Sequence, residues 1–491
     1  MTEELISPGR AIHAHAIRNP DEVILVCANS NTDDVTLTRR EFDEWTSRIA
    51  HMLIDRGVGV GDYVGILLPN CVEHIVATFG IFKAGGAPMP VSYRMPPAER
   101  NELLAMAEVR VLFSDLEDLN GVTREAMANP GAWPSTLPPD VIPQPTKAVA
   151  SGGSTGRPKL IVSPGAFAFP EGQHPFKSIL RLQDNDMMYS PGPFYHNAPF
   201  LFTFITLYSG GRALINDRFD AGRALRLIEK YRPQVLNLVP THMQRMLREA
   251  DVGERDLSSV RLVWHLAAPC PAWAKQGFID LLGADAVWEL WAATEITGVT
   301  TISGSDWLSH RGSVGQHPMT EVRILDEDGN ELPVGDVGEI FTRFGGAPPG
   351  YEYIGADPLP MTEDHFASVG DMGYVDEEGY MYLSDRRVDM IITGGANVYP
   401  AEVEAIISSH PGVRDVAVVG LRDDDLGRRV YAIVEPFDMD DCPTAEVLDG
   451  LCREKLAGYK VPRGYEFIPR LPRTEAGKIR RLDLRRERDG N

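Results

Sequence analysis

The 491 residues predict an α/β protein: a large N-terminal domain of doubly wound sheets with a small β-barrel-like part, and a small α+β domain at the C-terminus. Three observations carry that reading. Strand-like and helix-like segments alternate over 36–113 and again over 220–266, the rhythm of a parallel sheet with crossover helices. Residues 310–384 change to β-rich patterns with acidic turns, Asp326-Glu-Asp-Gly329 and Asp376-Glu-Glu-Gly379. After about 386 the pattern resets to a compact unit, so the cut falls near 384–390 and gives domains 1–385 and 386–491. A chain of this length buries more than one core.

Taken in order, 36–57 reads as a helix: Thr38 can cap it, Glu41 sits three residues on, and Phe42, Trp45, Ile49, Met52 and Leu53 follow at helical spacing up to Gly57. A buried strand at 63–68, a helix at 72–84, an extended stretch at 87–91, a helix at 97–107 and a strand at 109–113 come next. Proline-rich 129–147 reads as a surface connection. Helices at 220–231 and 241–250 precede strands at 235–239 and 260–266, whose apolar runs suit a sheet covered on both faces. The last unit reads as helix 400–409, strands 413–419 and 429–434, helix 444–457 and strand 465–467.

Composition excludes several function classes. The formal net charge of −22 argues against nucleic acid or an anionic membrane as the main partner. No run of 18 apolar residues is present, so no stable membrane insertion is expected. The start lacks a basic cluster followed by an apolar core, and Asp489-Gly490-Asn491 matches no targeting tail; a cytoplasmic location is expected. The five cysteines form no C-x-x-C pair, so neither a zinc site nor a disulfide framework is expected.

Five short motifs carry chemistry. Ser151-Gly152-Gly153-Ser154-Thr155-Gly156-Arg157-Pro158-Lys159 offers small residues that let backbone N–H groups reach phosphate oxygens, with hydroxyls and a lysine charge added. It is not the G-x-x-x-x-G-K-[ST] loop, and a flexible Gly/Ser connection has the same composition. In Leu290-Trp-Ala-Ala-Thr-Glu295, the Glu295 carboxylate can hold Mg²⁺, the Thr294 hydroxyl can meet phosphate, and Trp291 offers a face to a base. A buried strand end capped by Thr-Glu reads the same. Asp371, after Gly370, can accept two ribose hydroxyls or close its own turn. Arg386 is a candidate ribose or phosphate contact, and Gly394-Gly395 permits close backbone approach. Lys478, after Gly477 near the chain end, says little by itself.

The order and spacing of all five resemble the adenylate-forming superfamily of acyl-CoA synthetases, firefly-luciferase-like enzymes and peptide-synthetase adenylation domains, from about residue 36 to 482. The resemblance implies an enzyme that uses ATP, Mg²⁺ and coenzyme A to turn a carboxylic acid into an acyl-adenylate and then a thioester. It implies that Ser151 through Lys159 steadies the ATP phosphates, Trp291 stacks on adenine, Thr294 meets phosphate and Glu295 ligates Mg²⁺. It places Ala267-Ala268-Pro269 beside adenine and the acyl pocket, Asp371 and Arg386 on ribose, Gly394-Gly395 at the pantetheine tunnel, and Lys478 between the carboxylate and the α-phosphate. A small, mobile C-terminal domain that rotates between half-reactions is part of the same implication. The chain departs from the family pattern at Gly152, Leu160, Ala292-Ala293 and the hinge position Val388.

Pro193-Phe-Tyr195-His196-Asn-Ala-Pro199 resembles the family's gate beside the acyl pocket, which Tyr195, His196, Ala267 and Ala292 would line; a packed core histidine is the plainer reading of His196. No Asp lies between Pro191 and Thr206 to pair an α-ammonium, so an amino acid substrate is disfavoured. Phe194, Phe200, Phe202 and Phe204 suggest an apolar acid (fatty, alicyclic, aryl or steroid-side-chain) or plain core. No carrier domain is expected after Lys478, so a free carrier protein stands as the alternative acceptor. A non-catalytic ligand sensor on the same fold is the alternative from another class. A homodimer is compatible with everything read here.

Overall fold

The computed structural model describes residues 4–129, 131, 133–152, 158–386, 389–394, 396–423, 425–473, 479 and 481–489. Its largest sheet has eight strands in the order Val299–Ser303, Val287–Ala292, Leu262–His265, Val235–Leu238, Met187–Ser190, Arg212–Asn216, Val23–Ala28 and Val35–Thr38. The six inner strands run parallel and the two outermost antiparallel. Every residue of Leu262–His265 is buried, as a sheet covered on both faces requires. One face packs on helices that include Arg39–Asp55, Val72–Lys83 and Asn197–Tyr208, the other on Ala221–Tyr231, Pro240–Leu247 and Ala272–Leu282.

The capping box read at Thr38 and Glu41 is formed, with Glu41 N–H on Thr38 Oγ1 at 3.2 Å and Thr38 N–H on Glu41 Oε2 at 2.8 Å. The helix starts at Arg39 rather than 36, because Val35–Thr38 pairs with Val23–Cys27 first. A parallel sheet with Tyr63–Leu67 between Ala87–Pro90 and Val111–Ser114 follows. Lys147–Gly152 and Pro158–Ser163 form an antiparallel hairpin, and Glu352–Ile354 pairs on its far edge.

The β-rich part is an open five-stranded antiparallel sheet with edge strands Ser313–Gly315 and Thr320–Leu325. No closed barrel is needed to bury its apolar face, which packs Val314, Ile324, Ile340 and Met381 against Trp291. The C-terminal unit has its own core around Val413–Asp423, Gly427–Pro436 and Tyr465–Phe467, covered by Pro400–Ile407, Ala445–Lys455 and Arg481–Asp489. Arg248 joins the two units. Its guanidinium donates to the Arg414 and Val413 carbonyls at 2.7 and 3.1 Å and lies between the rings of Trp273 and Phe437. Among the described residues no helix is long and apolar enough to cross a membrane. All five cysteines are free thiols.

Candidate active site

The chain leaves the carboxyl ends of Met187–Ser190, Leu262–His265 and Val287–Ala292 along one edge of the large parallel sheet, where open α/β sheets hold ligands. Two residues at that edge, Ala267 (φ +75) and Ile296 (φ +52), adopt the left-handed conformation without being glycine. Such strain persists only where surrounding structure imposes it. It turns Ala267 and Pro269 out to solvent and sets Glu295, one residue before Ile296, into a buried position.

The hairpin motif sits beside Glu295. Ser151 is directly opposite Lys159 and Gly152 opposite Pro158 in register, so paired strands carry both ends of the motif; Gly153, Ser154, Thr155, Gly156 and Arg157 lie outside the described residues. Val149, Ile161 and Tyr353 form one cross-strand row, and Lys159 lies two residues along on the same face. The Tyr353 hydroxyl donates to Glu295 Oε1 at 2.5 Å, and Lys159 Nζ is 3.8 Å from the same oxygen and 3.7 Å from the Tyr353 ring centroid. Burial, and then the Glu295 acceptor, push the Tyr353 pKa up, so the phenol remains a donor. Lys147 occupies the row on the other side of Val149. It is 2% exposed, its ammonium has no hydrogen-bond partner among the described residues, and burial lowers its pKa to about 8, opposed by Glu295.

Four residues before Glu295, the Trp291 indole N–H donates to Asp371 Oδ2 at 2.9 Å. Trp291 is half-buried, Thr294 is half-buried on the turn between it and Glu295, and Ala292 is exposed. Asp371 opens its strand directly opposite Arg386, whose backbone is described and whose side chain is not. The motifs at 291–295, 371 and 386 thus meet across the seam between the large sheet and the five-stranded sheet.

The gate segment is held from a distance. The Asn70 amide donates to the Gly192 carbonyl at 2.9 Å and accepts from Phe194 N–H at 3.0 Å, standing in for a strand partner. Tyr195 and His196 follow, half-buried, with ring centroids 4.6 Å apart; burial raises the Tyr195 pKa to about 12. His196 occupies the N-cap position of Asn197–Tyr208 without a side-chain cap bond. The aromatic stripe turns out to be core. Phe194, Phe200, Phe202 and Phe204 are each no more than 2% exposed, and Phe204 packs on Phe82, Phe167 and Phe200. The stripe therefore gives no argument for an apolar acid.

Lys478, Gly395 and Val388 lie outside the described residues. Gly394 is exposed at φ +55 on the C-terminal unit and donates its N–H to the Leu426 carbonyl at 3.0 Å. Among the described residues no group of three or more His, Cys, Asp or Glu side chains could hold a metal. A hard cation bound through one carboxylate and completed by substrate phosphates and water fits Glu295, and that donor set suits Mg²⁺. Sequence reasoning missed Tyr353, Lys147 and Asn70. Tyr353 bonds Glu295 across 58 residues and Lys147 feels its charge across 148, and only an apolar strand that opens on a lysine at 147 carried a local signal.

A family model described as AMP-binding enzyme matches residues 12–352, and one described as the AMP-binding enzyme C-terminal domain matches 402–478. Feruloyl-CoA synthase of Amycolatopsis sp is 31% identical, covering 92% of this chain and 94% of its own. Fatty acid–[acyl-carrier-protein] ligase ScoC of Streptomyces coeruleorubidus is 29% identical, covering 96% and 94%. The structure of o-succinylbenzoate CoA synthetase from Bacillus subtilis, in complex with its acyl-adenylate intermediate, has the same fold at TM-score 0.83 and 24% identity, covering 99% of this chain and 98% of that one.

Proposed function

The chain belongs to the AMP-binding enzyme family, and on that premise we propose that it is an AMP-forming carboxylic acid–CoA ligase. One observation carries the reading: a single turn gives Trp291 to Asp371 at one end and Glu295 to Lys159 and Tyr353 at the other. The first end suits a nucleoside, with an indole face for adenine and a carboxylate for ribose hydroxyls. The second suits phosphates, with lysine for charge and a carboxylate for a cation. Mg²⁺, held there by Glu295, would neutralise phosphate charge.

A carboxylate oxygen attacks the ATP α-phosphorus, and the bond to the pyrophosphate oxygen breaks. Two anions must approach in line, so positioning and charge neutralisation are the main tasks. Lys159 draws on the polyphosphate, Thr294 meets phosphate, Arg386 joins Asp371 at the ribose, and Lys478 bridges the carboxylate and the α-phosphate. The thiolate of CoA then attacks the acyl carbon; the carbon–oxygen bond breaks and AMP leaves with the former carboxylate oxygen. Tyr195, His196, Ala267 and Ala292 border the acid, which carries no α-ammonium; the feruloyl and fatty acyl groups named for two relatives, and not the phenylalanine stripe, support an apolar acid. The domains divide at 385/386, with Lys478 on the smaller.

The test is acid-dependent exchange of labelled pyrophosphate into ATP over a panel of carboxylic acids, followed by AMP release on adding thiol. AMP release with CoA supports the reading. Release only with a carrier protein, the acceptor named for one relative, replaces CoA as acceptor. No exchange with any acid removes the enzyme reading in favour of a ligand sensor.

A further inference from the structure

The described residues hold a cleft that adenylation does not use. Its volume is about 410 Å³, and Arg18, Arg39, Glu171, Lys177, Asp184 and Ser209 are among the residues that line it. It sits at the amino edge of the large sheet. Asp184 and Asn185 lead into Met187–Ser190, and Ser209 and Gly210 lead into Arg212–Asn216. These strands run parallel to those that carry the candidate active site at their carboxyl ends, so the cleft and that site occupy opposite edges.

Arg39 is the buried cation of the cleft, 3% exposed. Its Nε donates to Glu22 Oε2 at 2.8 Å and its Nη2 to the Gly210 carbonyl at 2.7 Å. Its Nη1 is buried with no hydrogen-bond partner among the described residues, and so is the Ser209 hydroxyl. Buried donors are almost always satisfied, so two orphans on the wall of one cleft point to a shared acceptor.

The countercharges lie largely outside. Glu22 is not part of the cleft wall. Lys177, 20% exposed, donates to Asp184 at 2.8 Å, yet Asp184 is 85% exposed; Arg18 and Glu171 pair with about half of each side chain in solvent. Ion pairs so exposed are worth little, and a bound anion displaces their carboxylates at small cost. Helices Pro8–Arg18 and Asn197–Tyr208 end beside the cleft, and a helix end of that polarity disfavours anions. Here it is covered: His15 and Arg18 lie in the last turn of the first helix, His15 Nε2 donates to the Tyr208 carbonyl at 3.1 Å, and Arg39 takes the Gly210 carbonyl.

We infer that this cleft binds a phosphate group. The guanidinium, the hydroxyl and the ammonium come from three separate segments, and a tetrahedral oxyanion accepts from several directions, whereas a carboxylate accepts in one plane. The volume leaves room beside the phosphate for a small ester. His15 supplies a local reporter. Burial, opposed by the bond to Tyr208, and then Arg39 and Arg18 hold its pKa below the ordinary histidine value. A phosphate beside those arginines offsets their charge and raises it.

The test titrates the full chain with inorganic phosphate and with ribose 5-phosphate by calorimetry, and follows the His15 ring by NMR. Lys177→Gln should weaken binding about tenfold, and Ser209→Ala about fivefold, since one donor is lost in each. The His15 pKa should rise in wild type, while the ring of His310, stacked on Tyr380 at a centroid distance of 3.7 Å, stays where it was. Tighter binding of ribose 5-phosphate assigns the cleft to an ester, and equal binding assigns it to the free anion. Binding that both variants leave unchanged, a His15 ring that phosphate does not move, or no binding at all overturns the assignment.

Discussion

Replacing Lys147 by methionine measures the cost of a cation buried beside Glu295. The ammonium is 2% exposed and has no hydrogen-bond partner among the described residues, and burial brings its pKa from 10.5 to about 8. Such a fall is worth roughly 3 kcal/mol, an upper figure for the penalty. The unfolded chain holds the proton more tightly, so the penalty is fully present below pH 8 and is lost as pH rises towards 10.5. Methionine keeps the length and removes the charge. Urea unfolding of wild type and Lys147→Met at pH 7 and at pH 10.5 reads both the size and the sign. The variant should be more stable at pH 7 by about 1–3 kcal/mol, with the gain shrinking towards zero at pH 10.5. Lys83 is the control: its pKa also falls to about 8, yet it donates to Asp43 O, Asp43 Oδ1 and Ser47 Oγ at 2.9, 2.6 and 2.9 Å. Lys83→Met should destabilise by about 3 kcal/mol, because it removes the buried countercharge and leaves the Asp43 carboxylate with the His13 ring as its side-chain partner. A Lys147→Met chain less stable at pH 7, by an amount indifferent to pH, refutes the reasoning.

Glu295→Gln should lower the rate of acid-dependent pyrophosphate exchange by about 100-fold or more and weaken its Mg²⁺ dependence, while Tyr353→Phe, which removes one donor, costs about tenfold. Trp291→Ala should raise the KM for ATP and the Kd for AMP together by about tenfold, with Trp291→Phe recovering most of the loss. Asn70→Ala removes both bonds that hold the gate segment; it should raise the KM for the acid by about tenfold with the KM for ATP little changed, and do nothing further in a His196→Ala background. Arg248→Ala cuts the clasp on the C-terminal unit; hydrogen exchange along Val413–Asp423 should quicken, with the stability of the larger unit unchanged.

What the sequence made legible was local. The capping box at Thr38 and Glu41 and the alternation that builds the parallel sheet are short-range signals, and both are formed. The motif residues at 159, 291, 295 and 371 are brought together in two pairs, Lys159 with Glu295 and Trp291 with Asp371, because the end of Val287–Ala292 and the turn after it meet one strand from each of two other sheets. The partners that complete the site were not legible. Tyr353 reaches Glu295 across 58 residues, and Asn70 clamps Gly192 and Phe194 across 122 and 124; no periodicity encodes such pairings. Of the two readings open for the phenylalanines of Asn197–Tyr208, the structure takes plain core: Pro199, Phe200 and every residue from Phe202 to Tyr208 are buried, a distinction that composition alone does not carry. The helix expected from 36 was shortened by tertiary pairing, which claimed Val35–Thr38 for a strand.

The proposed chemistry turns on one event, attack of a carboxylate oxygen on the α-phosphorus of ATP held along the turn from Trp291 to Glu295. An accepted acid labelled with ¹⁸O in its carboxylate, taken through to thioester with unlabelled ATP, tests it most directly. Mass spectrometry should find one ¹⁸O in each AMP formed and none in pyrophosphate. Label recovered in inorganic phosphate with ADP, or AMP free of label, would contradict it.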